Sequence, residues 1–107
     1  MDWIYLYTNF EGRISRKDWW TGFLLIFVVS LVLSFLIGNQ GIVPLVIAII
    51  LFVGGLALHI KRFHDRGKLG WWVFVFLIPL IGFIWMIVEM GVLEGDADAN
   101  DYGAATT

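Results

Sequence analysis

Lys61-Arg62-Phe63-His64-Asp65-Arg66-Gly67-Lys68-Leu69-Gly70-Trp71-Trp72 holds four of the chain's seven Lys+Arg residues and lies between two long apolar runs. No Asp, Glu, Lys or Arg occurs from Trp19 to Ile60, and none from Trp71 to Val88. Polar chemistry is therefore confined to this stretch and to the two ends of the chain. That distribution identifies the stretch as a cytoplasmic hinge between membrane helices, because basic residues flanking apolar spans stay on the cytoplasmic side.

The composition agrees. The chain has 107 residues, of which 60% are hydrophobic, and its mean hydropathy is +0.85, too apolar for a soluble domain of this size. The formal charge of −2 says little, because the signs are segregated along the sequence. Basic residues fall at 13–17 and 61–68, and acidic ones gather at 89–101. With no cysteine, a disulfide framework, a thiolate nucleophile and a Cys-based metal site are excluded. No cofactor and no nucleic-acid partner are expected. The first apolar run is too long for the core of a signal peptide and no small-residue cleavage site follows it, so it is expected to remain as an anchor.

Outward from the hinge, the apolar runs predict an all-α integral membrane protein with three transmembrane helices and a short N-terminal interfacial segment. Residues 1–14 form the segment, with Trp3, Leu6, Tyr7 and Phe10 at helical spacing on one face suited to the headgroup plane. Ser15 is the expected N-cap of the first helix, with Asp18 three residues on. Arg16 and Lys17 oppose the helix dipole there, which suggests a separate use. The first span is placed at 15–38. Trp19 to Ile37 alone gives about 28 Å at 1.5 Å per residue, close to the hydrocarbon thickness. A second span is placed at 42–60, after a turn at Gly38-Asn39-Gln40-Gly41 too short for anything but antiparallel neighbours. Residues 61–70 form the basic loop and 71–93 a third span, kinked at Pro79 and Gly82. An acidic tail, 94–107, is expected to be partly disordered.

Three crossings put all seven Lys+Arg on the cytoplasmic side, the N-terminus with them and the C-terminus outside. Trp19, Trp20, Trp71 and Trp72 would then form one aromatic belt. Small residues Ser30, Ser34 and Gly38, at four-residue intervals, mark a candidate helix-packing stripe, as do Gly54 and Gly55 in the second span.

Four stretches taken together resemble a known family. They are Phe10 to Trp20, Lys61 to Trp72, Pro79-Leu80-Ile81-Gly82 and Asn100-Asp101-Tyr102-Gly103. They are similar to the bacterial inner-membrane family called domain of unknown function 805. Its pattern runs approximately F-x-G-R-x-x-R-x-x-aromatic-W, R-R-L-H-D-x-G-basic-S-G-W-W, P-x-x-G and N-x-aromatic-G. The likeness covers essentially the whole chain, and the second motif is the specific one. This chain departs from it with Lys61 for the first arginine, Phe63 for the leucine and Leu69 for the serine, so a role for that serine hydroxyl does not carry over. The resemblance implies an integral membrane protein of bacteria and brings no activity with it.

The candidate site is Arg13, Arg16, Arg62, His64, Asp65, Arg66, Lys68, Trp71 and Trp72. Two roles fit these residues. Topology alone needs only positive charge, which lysine supplies as well as arginine. Recognition of an anionic lipid headgroup, a phosphate or a partner protein would use the arginine forks, with Asp65 orienting one of them. As metal ligands, His59, His64 and Asp65 are poorly arranged, since five helical residues separate the two histidines by about 140°. No Ser-His-Asp set is legible, and the uncharged spans lack a proton-relay or ion-coupling residue. The expected function is thus that of a small non-enzymatic membrane protein engaging lipids or a membrane-protein partner. The alternative is a subunit of an oligomeric transporter or channel, possible only as a homo-oligomer or larger assembly because three helices enclose no path.

Overall fold

The computed structural model describes residues 2–106. Helix α1 (Trp3–Thr8) begins at Asp2, whose carboxylate accepts from the Tyr5 amide at 3.0 Å. Helix α2 (Arg16–Ile37) begins at Ser15, whose hydroxyl accepts from the Asp18 amide at 3.2 Å, as the capping pattern predicts. It ends where Gly38 takes a positive φ of 77°, a conformation glycine adopts without steric cost. Helix α3 (Ile42–Asp65) runs antiparallel to α2. These two helices have 22 and 24 residues, about 33 and 36 Å at 1.5 Å per residue, so each is long enough to cross a bilayer.

Helix α3 does not stop at Ile60, where the second span was expected to end. It continues through Lys61, Arg62, Phe63 and His64 to Asp65, all buried, so half of the expected basic loop is helix. A Schellman motif closes it: the Gly67 amide donates to the His64 carbonyl at 3.0 Å and the Lys68 amide to the Phe63 carbonyl at 2.8 Å. Gly67 holds the required positive φ of 74°. Helix-terminal carbonyls are thereby satisfied beside the membrane, and the basic side chains leave the helix in fixed directions.

Residues 71–93 do not form a third spanning helix. Gly70–Leu77 is a 3-10 helix, about 16 Å long at 2.0 Å per residue and too short to cross. The chain then reverses at Ile78-Pro79-Leu80, with Leu80 at a φ of 62°, a costly conformation for a branched residue. Helix α4 (Ile81–Met86) and a wider helical turn (Ile87–Val92) bring it back. The two limbs approach closely at Gly82: a Cβ there would stand 2.7 Å from the Phe76 carbonyl oxygen. Pro79 and Gly82 thus make a hairpin tip rather than a kink. Lys68, before the hairpin, meets Glu89, near its end, at 2.5 Å, so both ends lie at the hinge end of α3. The tail beyond it lies beside the N-terminal segment and not at the opposite end of the helices.

The buried core sits at that same end, in Leu6, Ile14, Trp19, Leu58, Phe63 and Met90. Toward the Gly38–Gly41 turn, large apolar side chains such as Phe35, Leu36 and Ile42 are exposed. Such a surface is stable only in lipid. The expected packing residues divide accordingly. Gly22, on α2, is the close crossing with α3: an added Cβ would lie 2.8 Å from Leu58. Ser30 and Ser34 instead line a crevice of about 600 Å³ between the two helices. Gly38 and Gly55 have nothing within 4 Å of an added Cβ, whereas Gly54 lies against the Tyr7 ring. Gly38 is therefore a turn residue, Gly55 has no packing role within the chain, and Gly54 receives α1.

A buried arginine–aspartate centre at the hinge

Asp65 is 1% exposed and stands between two guanidinium groups. Arg13 Nε donates to its Oδ1 at 2.9 Å, and Arg62 Nη1 donates to its Oδ2. Thr106 Oγ1 donates to Oδ1 at 2.7 Å. One carboxylate thus faces two cations, and the surplus positive charge is met by backbone carbonyl dipoles. Arg13 Nη1 reaches the carbonyls of Asp98 and Gly103 at 3.0 and 3.1 Å, and Nη2 those of Asp96 and Asp65 at 2.7 and 3.2 Å. Arg62 donates to Met90, Leu93 and Ile14 carbonyls at 2.7, 2.6 and 3.4 Å. Charge-assisted bonds of this kind are roughly twice as strong as neutral ones, and only a guanidinium offers five donors in a rigid fork.

The two arginines consequently join four distant pieces of chain: the N-terminal segment, the end of α3, the return limb of the hairpin and the tail. Neither has a fork left over for a phosphate. Residues 94–106 are held against the hinge, where partial disorder was expected, because the tail supplies acceptors that the buried arginines need. The Asn100-Asp101-Tyr102-Gly103 motif is a turn, with paired Asn100 and Gly103 backbone hydrogen bonds at 3.0 and 3.2 Å. Asn100 Nδ2 donates to the His64 carbonyl at 2.9 Å, and the Tyr102 ring stacks on the His64 imidazole with centroids 4.0 Å apart. His64 Nδ1–H in turn donates to the Gly12 carbonyl at 3.0 Å. Gly95 is needed because a Cβ there would overlap the Asp65 carboxylate. Its place was invisible in the sequence, where it is one small residue in an acidic tail.

The remaining basic residues separate by environment. Lys61, fully buried, donates to the carbonyls of Tyr5 and Leu6 and lies 4.2 Å from the Tyr5 ring centroid, fastening α1 to α3. Arg66 and Lys68 both pair with Glu89, at 2.9 and 2.5 Å. Burial pushes the Glu89 carboxyl up, but hydrogen bonds and charge from Lys68 and Arg66 outweigh that and hold it below the usual carboxylate range. Arg16 donates to the Val92 carbonyl at 2.8 Å yet keeps a side chain 42% exposed, and Lys17 is exposed.

The four tryptophans at the hinge do not act alike. Trp71 and Trp72 are exposed as a belt requires. Trp19 is fully buried and its Nε1–H donates to His59 Nδ1 at 3.1 Å, while Trp20 Nε1–H donates to the Gly91 carbonyl at 2.9 Å. This pair fastens α2 to α3 and to the hairpin. The two histidines lie in separate settings, His59 beside Trp19 and His64 beside Tyr102.

The family model described as protein of unknown function DUF805 matches residues 7–104, which include every residue of the Asp65 centre except Thr106. The chain belongs to this family. Among similar proteins, inner membrane protein YhaH of Escherichia coli strain K12 is 35% identical over 116 residues, covering 96% of this chain and 94% of that protein. Inner membrane protein YhaI of the same strain is 30% identical over 101 residues, covering 91% and 85%. Uncharacterized protein YiiR, also of that strain, is 27% identical over 126 residues, covering 92% and 86%. No solved structure matches the chain. With two apolar helices of spanning length and relatives named as inner membrane proteins, this member of the family is an integral protein of the bacterial inner membrane.

Proposed function

We propose that the protein is a non-enzymatic membrane protein that crosses the inner membrane twice, keeps both termini in the cytoplasm and rests its folded cap on anionic lipid headgroups. All seven Lys+Arg belong to the hinge end and none to the Gly38–Gly41 turn, which supports a cytoplasmic cap. The observation that carries the lipid reading is the pair Arg16 and Lys17. Both lie in the first turn of α2, where positive charge opposes the helix dipole; Lys17 is exposed, and Arg16 is part-exposed, with the exposed Glu94 carboxylate 3.9 Å away. Arg13, Arg62 and Asp65 give the cap rigidity, while Arg16 and Lys17, with the exposed Trp71 and Trp72, meet the headgroups. Each such cation near an anionic surface is worth about 1 kcal/mol.

The test is retention of phosphatidylglycerol through purification, read by native mass spectrometry. Arg16→Gln combined with Lys17→Gln should cut that retention several-fold while lowering the melting temperature only slightly, because the hydrogen bond lost, from Arg16 to the Val92 carbonyl, is exposed. Equal retention in the double variant would sink the proposal. A second reading, as a subunit of an oligomeric transporter or channel, draws on the crevice lined by Ser30 and Ser34, which has room for a neighbouring helix. A stable oligomer in mild detergent, lost on Ser34→Leu, would favour it.

A further inference from the structure

Between α3 and the hairpin lies a second cavity of about 660 Å³. Leu56, Val73, Phe76 and Met86 are among the apolar side chains that line it, and the exposed Trp71 stands at its rim. The lining contains no Asp, Glu, Lys or Arg. Its one ionisable side chain is His59. Trp19 Nε1 can only donate, so its bond to His59 Nδ1 requires that nitrogen to be unprotonated and places the ring proton on Nε2. Among the described residues Nε2–H has no acceptor, and since no fully enclosed side-chain nitrogen or oxygen lacks a partner, Nε2 is not sealed in protein. The cavity is the open space that His59 adjoins. It therefore offers an apolar cleft in which the hydrogen-bonding side chains are the His59 imidazole and the Trp71 indole.

We propose that this cavity binds an uncharged apolar group, either a quinone or the acyl-ester part of a phospholipid whose phosphate stays outside, through a carbonyl oxygen that accepts from His59 Nε2–H. The chemistry follows from the lining. A donor without a neighbouring acceptor selects an acceptor on the ligand, and the lack of any cation disfavours a carboxylate or phosphate, whose charge would be buried unpaired. The volume lies in the range of small-molecule sites, which combine mostly apolar walls with a few placed polar groups. Depth agrees as well: His59 precedes Asp65 by six helical residues, about 9 Å along the axis at 1.5 Å per residue, below the polar cap and level with the carbonyl zone of a bilayer. Trp19 has the role of a positioning residue, fixing the tautomer that makes His59 a donor. This site differs from the headgroup surface of Arg16 and Lys17, and either can fail without the other.

Two membrane molecules present such a carbonyl, an ester-linked phospholipid and a quinone, and one experiment separates them. The full chain, labelled with nitrogen-15 in histidine, is placed in nanodiscs of a diether phospholipid, which has no carbonyl. The expected starting spectrum shows His59 protonated at Nε2 only. Adding an ester-linked phosphatidylglycerol should shift the Nε2 signal if the ligand is a lipid ester, and titrating decylubiquinone should shift it saturably if it is a quinone. Leu56→Trp, which adds bulk to the α3 wall of the cavity, should weaken the response by about tenfold or more while the Nδ1 signal still reports the bond from Trp19. A proton on Nδ1, a spectrum indifferent to both probes, or a response unchanged in Leu56→Trp each overturns the proposal.

Discussion

Lys68 Nζ stands 2.5 Å from Oε1 of Glu89, although 21 positions of mostly apolar chain separate the two residues. A helix that crossed the membrane between them would put them about 30 Å apart. The pairing therefore decides the course of the hairpin and, through it, the side on which the tail lies.

This relationship is open to direct test because the native chain has no cysteine. In intact spheroplasts, Gln40→Cys should react with an impermeant maleimide, and Ala104→Cys should react only after the membrane is made permeable. Labelling of Ala104→Cys in sealed cells would restore a third crossing and a tail outside.

The Asp65 centre predicts unequal costs for single changes. Asp65→Asn leaves two buried guanidiniums without a counter-charge, and breaking a buried pair by removing one partner costs about 3–5 kcal/mol. Arg62→Lys keeps the charge but cannot serve Asp65 and three carbonyls together, and should cost about 2 kcal/mol through unsatisfied acceptors. Gly95→Ala keeps every charge, yet its Cβ would overlap the Asp65 carboxylate. Thermal unfolding in detergent should rank Asp65→Asn as most damaging, and limited proteolysis should show Gly95→Ala releasing residues 96–106. A protected tail in Gly95→Ala would mean that the tail's hold on Asp65 is weaker than the hydrogen bonds imply.

Helix contact gives a further contrast. Gly22 has Leu58 and Leu6 within 3.2 Å of an added Cβ, while Ser34 lines open space. Gly22→Val should destabilise the protein by about 1–3 kcal/mol, the usual effect of overpacking. Ser34→Leu should leave the monomer's melting temperature nearly unchanged. A reversal of that order would return the close α2–α3 contact to the serine stripe.

These residues also mark what the sequence could convey. Two helices of spanning length, the Ser15 cap and the clustering of charge at residues 61–68 were legible, because apolar length, capping geometry and charge segregation are local signals. The extension of α3 to Asp65 was not, since Lys61 and Arg62 resemble a solvated loop unless their acceptors are known. Those acceptors are main-chain carbonyls of residues such as Leu6, Met90 and Leu93, and no residue type announces a carbonyl. The third span failed for a related reason. An apolar run of sufficient length permits a crossing, and only the contact between Lys68 and Glu89 shows that the run turns back at Pro79 and Leu80. Ser30, Ser34 and Gly38 had the right spacing for a helix seam, but the seam that forms is at Gly22, where Leu6 from α1 also arrives.

Glu89 supplies a pH dependence with a fixed sign. Its carboxyl is held below the ordinary value in the folded protein, because hydrogen bonds and charge from Lys68 and Arg66 exceed the opposing effect of burial. A carboxyl depressed on folding contributes stability above its unfolded pKa and loses it as pH falls through the folded pKa. The Glu89 contribution should therefore be as large at pH 7 as at pH 6, and should fall on acidification below the ordinary carboxylate range as Lys68 and Arg66 lose their shared partner. Glu89→Gln removes this titration. At neutral pH the variant should unfold at a lower temperature than the native chain, by an amount that shrinks as pH falls. Melting curves in detergent from pH 3 to 7 check both statements: a gap between native and Glu89→Gln that stays constant over that range would show that the ion pair does not hold the hairpin's return limb to the hinge.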